Sequence, residues 1–168
     1  MATEITSVET ALYNSVKAIF PSTTVIFANQ DSPEPTGTYI YILPIAINHV
    51  GRTYASTLTD TDEKLHIRQE YEVDVRFGFI GSNADNLALD FSAALQNVYY
   101  SEQWQNYDLS LRDRRNIFRV PQTRETRYTK HYTIQARFGF AVRTLQTVPV
   151  IETIVFNGVE INPPPPTP

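Results

Sequence analysis

The chain contains no cysteine among its 168 residues and only six glycines. The absence of cysteine excludes disulfides, thiolate nucleophiles and zinc ribbons, and it suits assembly in a reducing cytoplasm. The glycines form neither a glycine-rich phosphate loop nor a dinucleotide-binding fingerprint. We therefore predict that the protein carries no cofactor.

Charge and hydropathy exclude further classes. The formal net charge is -4, so no overall basic field holds nucleic acid. No apolar run reaches the roughly 20 residues that a membrane-spanning helix needs. The first residues, Met-Ala-Thr-Glu-Ile-Thr, lack the basic and apolar regions of a secretion signal. We expect no membrane partner.

The titratable residues form no recognisable catalytic or metal-binding pattern. The histidines are His49, His66 and His131, and none belongs to a His-x-x-x-His pair. Two acidic groups were considered as sites: Glu70, Glu72 and Asp74 on one strand face, and Asp60, Asp62 and Glu63 in a loop. The first is typical of a charge-balanced solvated face, and the second lacks the spacing of a calcium loop. We predict no catalytic residue, no metal site and no enzyme, while an enzyme or ligand binder using His131, His66 and the carboxylate face remains an alternative.

Two stretches, residues 67–80 and 128–143, alternate between apolar and polar side chains. Strict period-two alternation predicts strands with one buried face and one solvated face. The side chains predicted for the buried face are Tyr71, Val73, Val75, Phe77, Tyr132, Ile134, Phe138 and Phe140. Such a sheet needs an apolar layer on its buried face.

The remaining segments supply that layer. Apolar residues at helical spacing predict helices over residues 6–20, with a capping box at Thr6 and Glu9, and over 84–99. Strands are expected over 23–28, 38–48, 50–57, 117–120 and 150–156, whereas 101–110 reads as irregular. The predicted fold class is α+β: a mostly antiparallel sheet with long strands and two helices packed on one face. Residues 1–161 are expected to form a single domain, followed by a proline-rich C-terminal tail, 162–168.

The two long strands are unusual for a chain of this size. At about 14 to 16 residues they far exceed the typical strand of about 5 or 6. Either Gly78 and Gly139 bend them, or a bulged hairpin folds within the domain, or their ends project and pair with another subunit.

The basic residues are concentrated in the second half of the chain. Six of them are candidates for a subunit or partner interface: Arg112, Arg114, Arg115, Arg119, Arg124 and Arg127. Arginine is enriched at protein interfaces, and the acidic chain as a whole favours a protein partner. Contact with DNA phosphates and a salt-bridged surface without a partner both stay open.

Three segments resemble tailed-bacteriophage neck or tail terminator proteins. Residues 28–39, Ala-Asn-Gln-Asp-Ser-Pro-Glu-Pro-Thr-Gly-Thr-Tyr, are similar to the proline-containing loop and following strand of that family. Residues 68–78 look like its next alternating strand, and 150–158 look like its closing strand. The ordered set covers nearly the whole chain, apart from the proline tail.

The resemblance implies a structural virion protein of tail-terminator-like fold, assembled in the host cytoplasm. Such a protein forms a ring homo-oligomer, commonly a hexamer, at the head-proximal end of the tail. It stops growth of the tail tube and joins the tail to the head-side connector or stopper protein. Its implied partners are itself, the tube protein, the sheath protein where one exists, and double-stranded DNA that passes transiently through the lumen. Another tail component, such as a tube-end, sheath-joining or connector protein, is the alternative.

Overall fold

A computed structural model describes residues 2–28, 31, 33–56, 64–120, 122–124, 127–147, 154–156 and 159–161. The elements are α1 (Ala2–Ile19), β1 (Thr24–Phe27), β2 (Tyr39–Ser56), β3 (Lys64–Ile80), α2 (Ala84–Ala94), α3 (Val98–Asn106), β4 (Ser110–Arg114), β5 (Phe118–Arg119), β6 (Gln122–Arg124), β7 (Arg127–Thr129), β8 (His131–Thr147), β9 (Ile154–Phe156) and β10 (Val159–Ile161). Within these residues no helix is long and apolar enough to cross a bilayer.

The chain divides into two compact units, Met1–Arg52 with Gln69–Val142, and Thr53–Arg68 with Arg143–Pro168. The second unit contains the hairpin of β9 and β10, in which Phe156 pairs with Val159. Its predicted turn at residues 157–158 and the loop at 57–63 lie outside the described residues, as does the tail, 162–168. A single domain over 1–161 stays a prediction.

The main sheet has the strand order β1-β2-β3-β8-β4, and β5 also pairs with β8. β1 is parallel to β2, whereas β4 and β5 are antiparallel to β8. Cross-strand contacts show that β3 and β8 are antiparallel too, because Tyr71 stacks on Phe140 while Asp74 pairs with Arg137. The sheet is mostly antiparallel, which confirms the predicted α+β class.

The first helix is longer than the sequence predicts. It begins at Ala2, so Thr6 lies inside it and the capping box with Glu9 is wrong. At the other end Lys17 Nζ donates to the carbonyl oxygens of Pro21 and Thr23, at 3.3 and 2.8 Å. These two bonds hold the turn that follows the helix against its last turn.

The second half of the helical layer also differs from the prediction. α2 ends at Ala94, and Asn97 then caps α3 by accepting a bond from the Tyr99 backbone N–H at 3.0 Å. Residues 98–106 are therefore helical, not irregular, because the cap starts a new helix and buried Trp104 holds it to the core. Three helices are present among the described residues, where two were expected.

Two predicted strands, 38–48 and 50–57, are instead the single strand β2. The predicted break at His49 is wrong, and β2 also continues past Gly51, which adopts a positive φ of 77°. Glycine tolerates that conformation at little cost, so the strand passes through it. β3 and β8 likewise continue through Gly78 and Gly139.

Aromatic contacts organise the core between the sheet and the helices. Phe91 of α2 lies 4.7 Å from Phe77 and 5.6 Å from Phe79, measured between ring centroids. Trp104 of α3 lies 4.7 Å from Phe138. These rings, with Leu12 and Val16 of α1, are fully or nearly fully buried. The helices therefore cover the face of β3 that carries Val73, Val75, Phe77 and Phe79. They leave the opposite face of the sheet, which carries Asp74 and Arg137, uncovered, and we call it the open face.

Candidate interaction surface

The open face of the sheet carries a charge network between β3 and β8. Arg137 Nε donates to Asp74 Oδ1 at 2.8 Å and Nη2 donates to Oδ2 at 3.3 Å. Glu72 lies 3.7 Å from the same guanidinium. The hydrogen bond and charge of Asp74, with smaller contributions from Glu72 and Asp113, raise the pKa of Arg137. The centre of this face is therefore charged but locally neutralised.

A depression of about 230 Å³ borders that network. Its charged lining comes from three strands or their ends: Asp74, Arg76, Asp113, Arg115 and Arg137. Gln135 lies opposite Arg76, and its oxygen, when turned to the guanidinium, accepts from Nη2 and Nε at 3.0 and 3.3 Å. Ile45 supplies an apolar wall. The mixture of both charges suits a protein surface better than a polyanion.

The side chain of Tyr41 contacts residues of two other strands on the open face. Tyr41 of β2 lies across Gly78 of β3, where any Cβ atom would overlap its ring. Its hydroxyl reaches Nε2 of His131 in β8, 3.0 Å away. Burial raises the pKa of the Tyr41 phenol, partly offset by Arg76, so the hydroxyl keeps its proton at neutral pH. Glycine is thus required at position 78, because the Tyr41 ring lies where any other residue would place its Cβ atom.

The candidate interface arginines whose side chains are described do not all lie on one face of the sheet. Arg112 occupies a bulge in β4, beside Gly139, and is exposed, as are Arg115 and Arg119. Arg114 turns toward the helices instead, where its Nη1 donates to Ser92 Oγ at 2.7 Å. Arg124 and Arg127 pair across the β6–β7 hairpin, and their side chains lie outside the described set. Their role in an interface stays a prediction.

The side chains predicted to share a buried face are distributed as follows. Val73, Val75, Phe77, Ile134 and Phe138 are buried. Tyr132 and Phe140 are partly buried and pack against the core cluster. Tyr71 is also half-buried, stacked on Phe140 and edge-on to His49.

The two histidines whose side chains are described lie in separate contacts. His131 contacts Tyr41, whereas His49 contacts Tyr71 at a ring distance of 5.3 Å. The side chain of His66 and the acidic residues 60, 62 and 63 lie outside the described set. Among described residues no group of three or more His, Cys, Asp or Glu could hold a metal ion.

One edge of β2 is open in the described part of the chain, as Pro44 predicts. β1 pairs with Tyr39–Ile42 only, so β2 continues from Leu43 without a described strand on that side. Residues 45–52 are all exposed, including Ile45, Ile47 and Val50 at 49%, 41% and 38%. Proline cannot donate a hydrogen bond to the neighbouring strand, so Pro44 predicts a bulge or a free edge at this point, and the free edge is what the structure shows among the described residues.

These features define the class of the fold: an α+β protein whose described surface includes a charge-paired sheet face and an apolar edge of β2 that no described strand covers. The model of the phage neck terminator protein family matches residues 6–164, so the chain belongs to that family. The resemblance noted in the sequence is thereby confirmed. A search of curated proteins finds no match. Membership makes the chain a structural protein of the phage tail or neck, and a virion component.

Proposed function

We propose that the protein forms a homo-oligomeric ring, a hexamer, at the head-proximal end of the phage tail. There it ends growth of the tail tube and joins the tube, with the sheath where one exists, to the head-side connector or stopper protein. DNA passes through the lumen, and the ring assembles in the host cytoplasm. The match to the neck terminator family over residues 6–164 carries this proposal.

The distribution of charge supports a protein joint with a passage for DNA. Counterion release binds DNA to surfaces that present unpaired cations. Here Arg137 is paired with Asp74 and Glu72, and the whole chain has a net charge of -4. A lumen lined by such a protein holds DNA weakly, so DNA moves through it.

We propose no catalytic function for this protein because of the family to which it belongs. A structural neck protein points away from an enzyme. The open face supports the same view at Asp74, one of the two carboxylates that line the depression, because a bidentate contact with Arg137 holds it. A general base needs a carboxylate that can reach a substrate proton.

Two measurements test the proposal. Light scattering after size exclusion, with negative-stain images of the purified chain, should give closed rings of one subunit number. A phage lacking this protein should produce tails of uncontrolled length that fail to join heads, and supplying the protein in trans should restore joining. Tails of normal length without the protein would refute the terminator role, and labelling the protein at another part of the tail would assign it to a different component.

A further inference from the structure

Between Pro44 and Arg52, the open edge of β2 carries no charged side chain and no proline, and no described strand covers it. Natural sheets guard edge strands with charged side chains, prolines or covering elements, because unpaired backbone groups recruit other strands. Here residues 45–50, Ile-Ala-Ile-Asn-His-Val, contain no charge, and they lie between Pro44 and Arg52. An exposed, apolar and unguarded stretch of about six residues is long enough to pair with another strand.

The same sheet has a second open edge on its opposite side. β4 meets β8 only as far as Gly139, which pairs with Ser110, while β8 continues from Phe140. The next residues, Phe140, Ala141 and Val142, are uncharged and half-buried. In the described part of the chain, β8 has β3 on one side there and no strand on the other.

The two edges run in the same direction. β2 is antiparallel to β3, because Tyr41 lies over Gly78 while His49 meets Tyr71. β3 is antiparallel to β8, as shown above, so β2 and β8 are parallel. Rotation about a ring axis does not reverse the direction of strands that run along that axis. The β8 edge of one copy therefore meets the β2 edge of the next as a parallel pair.

We propose that the β2 edge, residues 43–52, pairs with the β8 edge, beginning at Phe140, of a second copy of this chain. Each copy offers both edges, so the contact is head-to-tail and closes into a ring when the rotation allows. This inference rests on the proposed ring and names the strands that build it. Pairing covers the apolar side chains of Ile45 and Ile47, which the isolated chain leaves exposed.

Cysteine cross-linking tests the pairing directly, because the natural chain has no cysteine. Ile45→Cys, Ile47→Cys and Val50→Cys would each be mixed with Ala141→Cys or Val142→Cys under mild oxidation. Within one chain the two edges are separated by β3, about 10 Å apart at two strand spacings, which exceeds the reach of a disulfide of about 7 Å between Cα atoms. Only neighbouring copies can form the bond.

We expect at least one mixture to give a covalent dimer. The corresponding double variant should give a series of cross-linked oligomers, the largest of which has as many subunits as the ring. Dimers from Ile47→Cys alone would mean that two β2 edges pair with each other, which overturns the proposal. Rings without any cross-link across all six mixtures would overturn the edge pairing while leaving the proposed function intact. A wild-type chain that stays monomeric would overturn both.

A charge placed on the edge provides an independent readout. Ile47→Lys should raise the concentration at which rings dissociate by about tenfold or more, because the lysine would have to be covered on pairing. Leu89→Lys is the control, since Leu89 is also an exposed apolar residue, 59% exposed against 41% for Ile47, and lies on helix α2. Rings of Ile47→Lys as stable as those of Leu89→Lys would contradict the pairing.

Discussion

Gly78 offers the sharpest test of the open face. A Cβ atom there would overlap the ring of Tyr41, so Gly78→Ala forces the ring away from β3 and from His131. Overpacking costs roughly 1–3 kcal/mol, and the lost hydrogen bond about 1 kcal/mol. Alanine recovers about 0.5 kcal/mol by restricting the unfolded chain. We expect a net loss of about 2 kcal/mol in the free energy of unfolding.

A double-mutant cycle separates the clash from the hydrogen bond. Tyr41→Ala removes both the ring and the hydroxyl, so Gly78→Ala in that background should cost roughly nothing. Tyr41→Phe keeps the ring, so Gly78→Ala should remain costly there. A coupling energy below about 0.5 kcal/mol between Gly78→Ala and Tyr41→Ala would refute the close approach.

The assay can use the single tryptophan as its probe. Trp104 is 2% exposed and its ring lies 4.7 Å from Phe138, so its fluorescence reports unfolding of the core. Urea titrations should be compared at one protein concentration, because self-association stabilises the folded chain by mass action.

Three further perturbations have definite expected outcomes. Phe77→Ala should lower the free energy of unfolding by roughly 3–5 kcal/mol in urea titration, because a large buried ring is lost from the core. The Arg112→Glu, Arg115→Glu double variant should fold normally, by circular dichroism, and assemble into rings poorly, by light scattering. Lys130→Met should lower the melting temperature at pH 6 and not at pH 2, because the Lys130 hydrogen bond lowers the pKa of Asp85 from its usual 3.8.

The sign of the last effect follows from linkage. A carboxyl whose pKa is lower in the folded state contributes stability above its unfolded pKa, and that contribution is lost as the pH falls through the folded pKa. The pair is exposed, so 1 M salt should also weaken it. A difference between wild type and Lys130→Met that persists at pH 2 would contradict the pairing as its cause.

The Phe77→Ala variant and the double arginine variant each have an outcome that would contradict the reasoning, and Phe77→Ala has a control. Leu89→Ala, at an exposed apolar position, should change the free energy of unfolding by less than about 0.5 kcal/mol. A loss below 1 kcal/mol for Phe77→Ala would contradict its central packing against Phe91. Rings of normal yield from the double arginine variant would remove Arg112 and Arg115 from the interface.

The sequence by itself determined the parts of the fold that depend on local periodicity. Alternation around Val73 and Ile134 gave the strands and their buried face, and spacing of Leu12 and Val16 gave the first helix. Three ordered segments gave the family, which the match over residues 6–164 confirms. Periodicity succeeds here because it records which face of an element meets the core.

Only the tertiary structure decided which elements are neighbours. Nothing local shows that Gly78 admits a ring from β2, that Arg114 turns to Ser92, or that Asn97 starts a third helix held by Trp104. The open edge of β2 follows from the short reach of β1, which ends opposite Ile42. Strand order and register are set by contacts between residues far apart in the chain, and a local pattern carries no record of them.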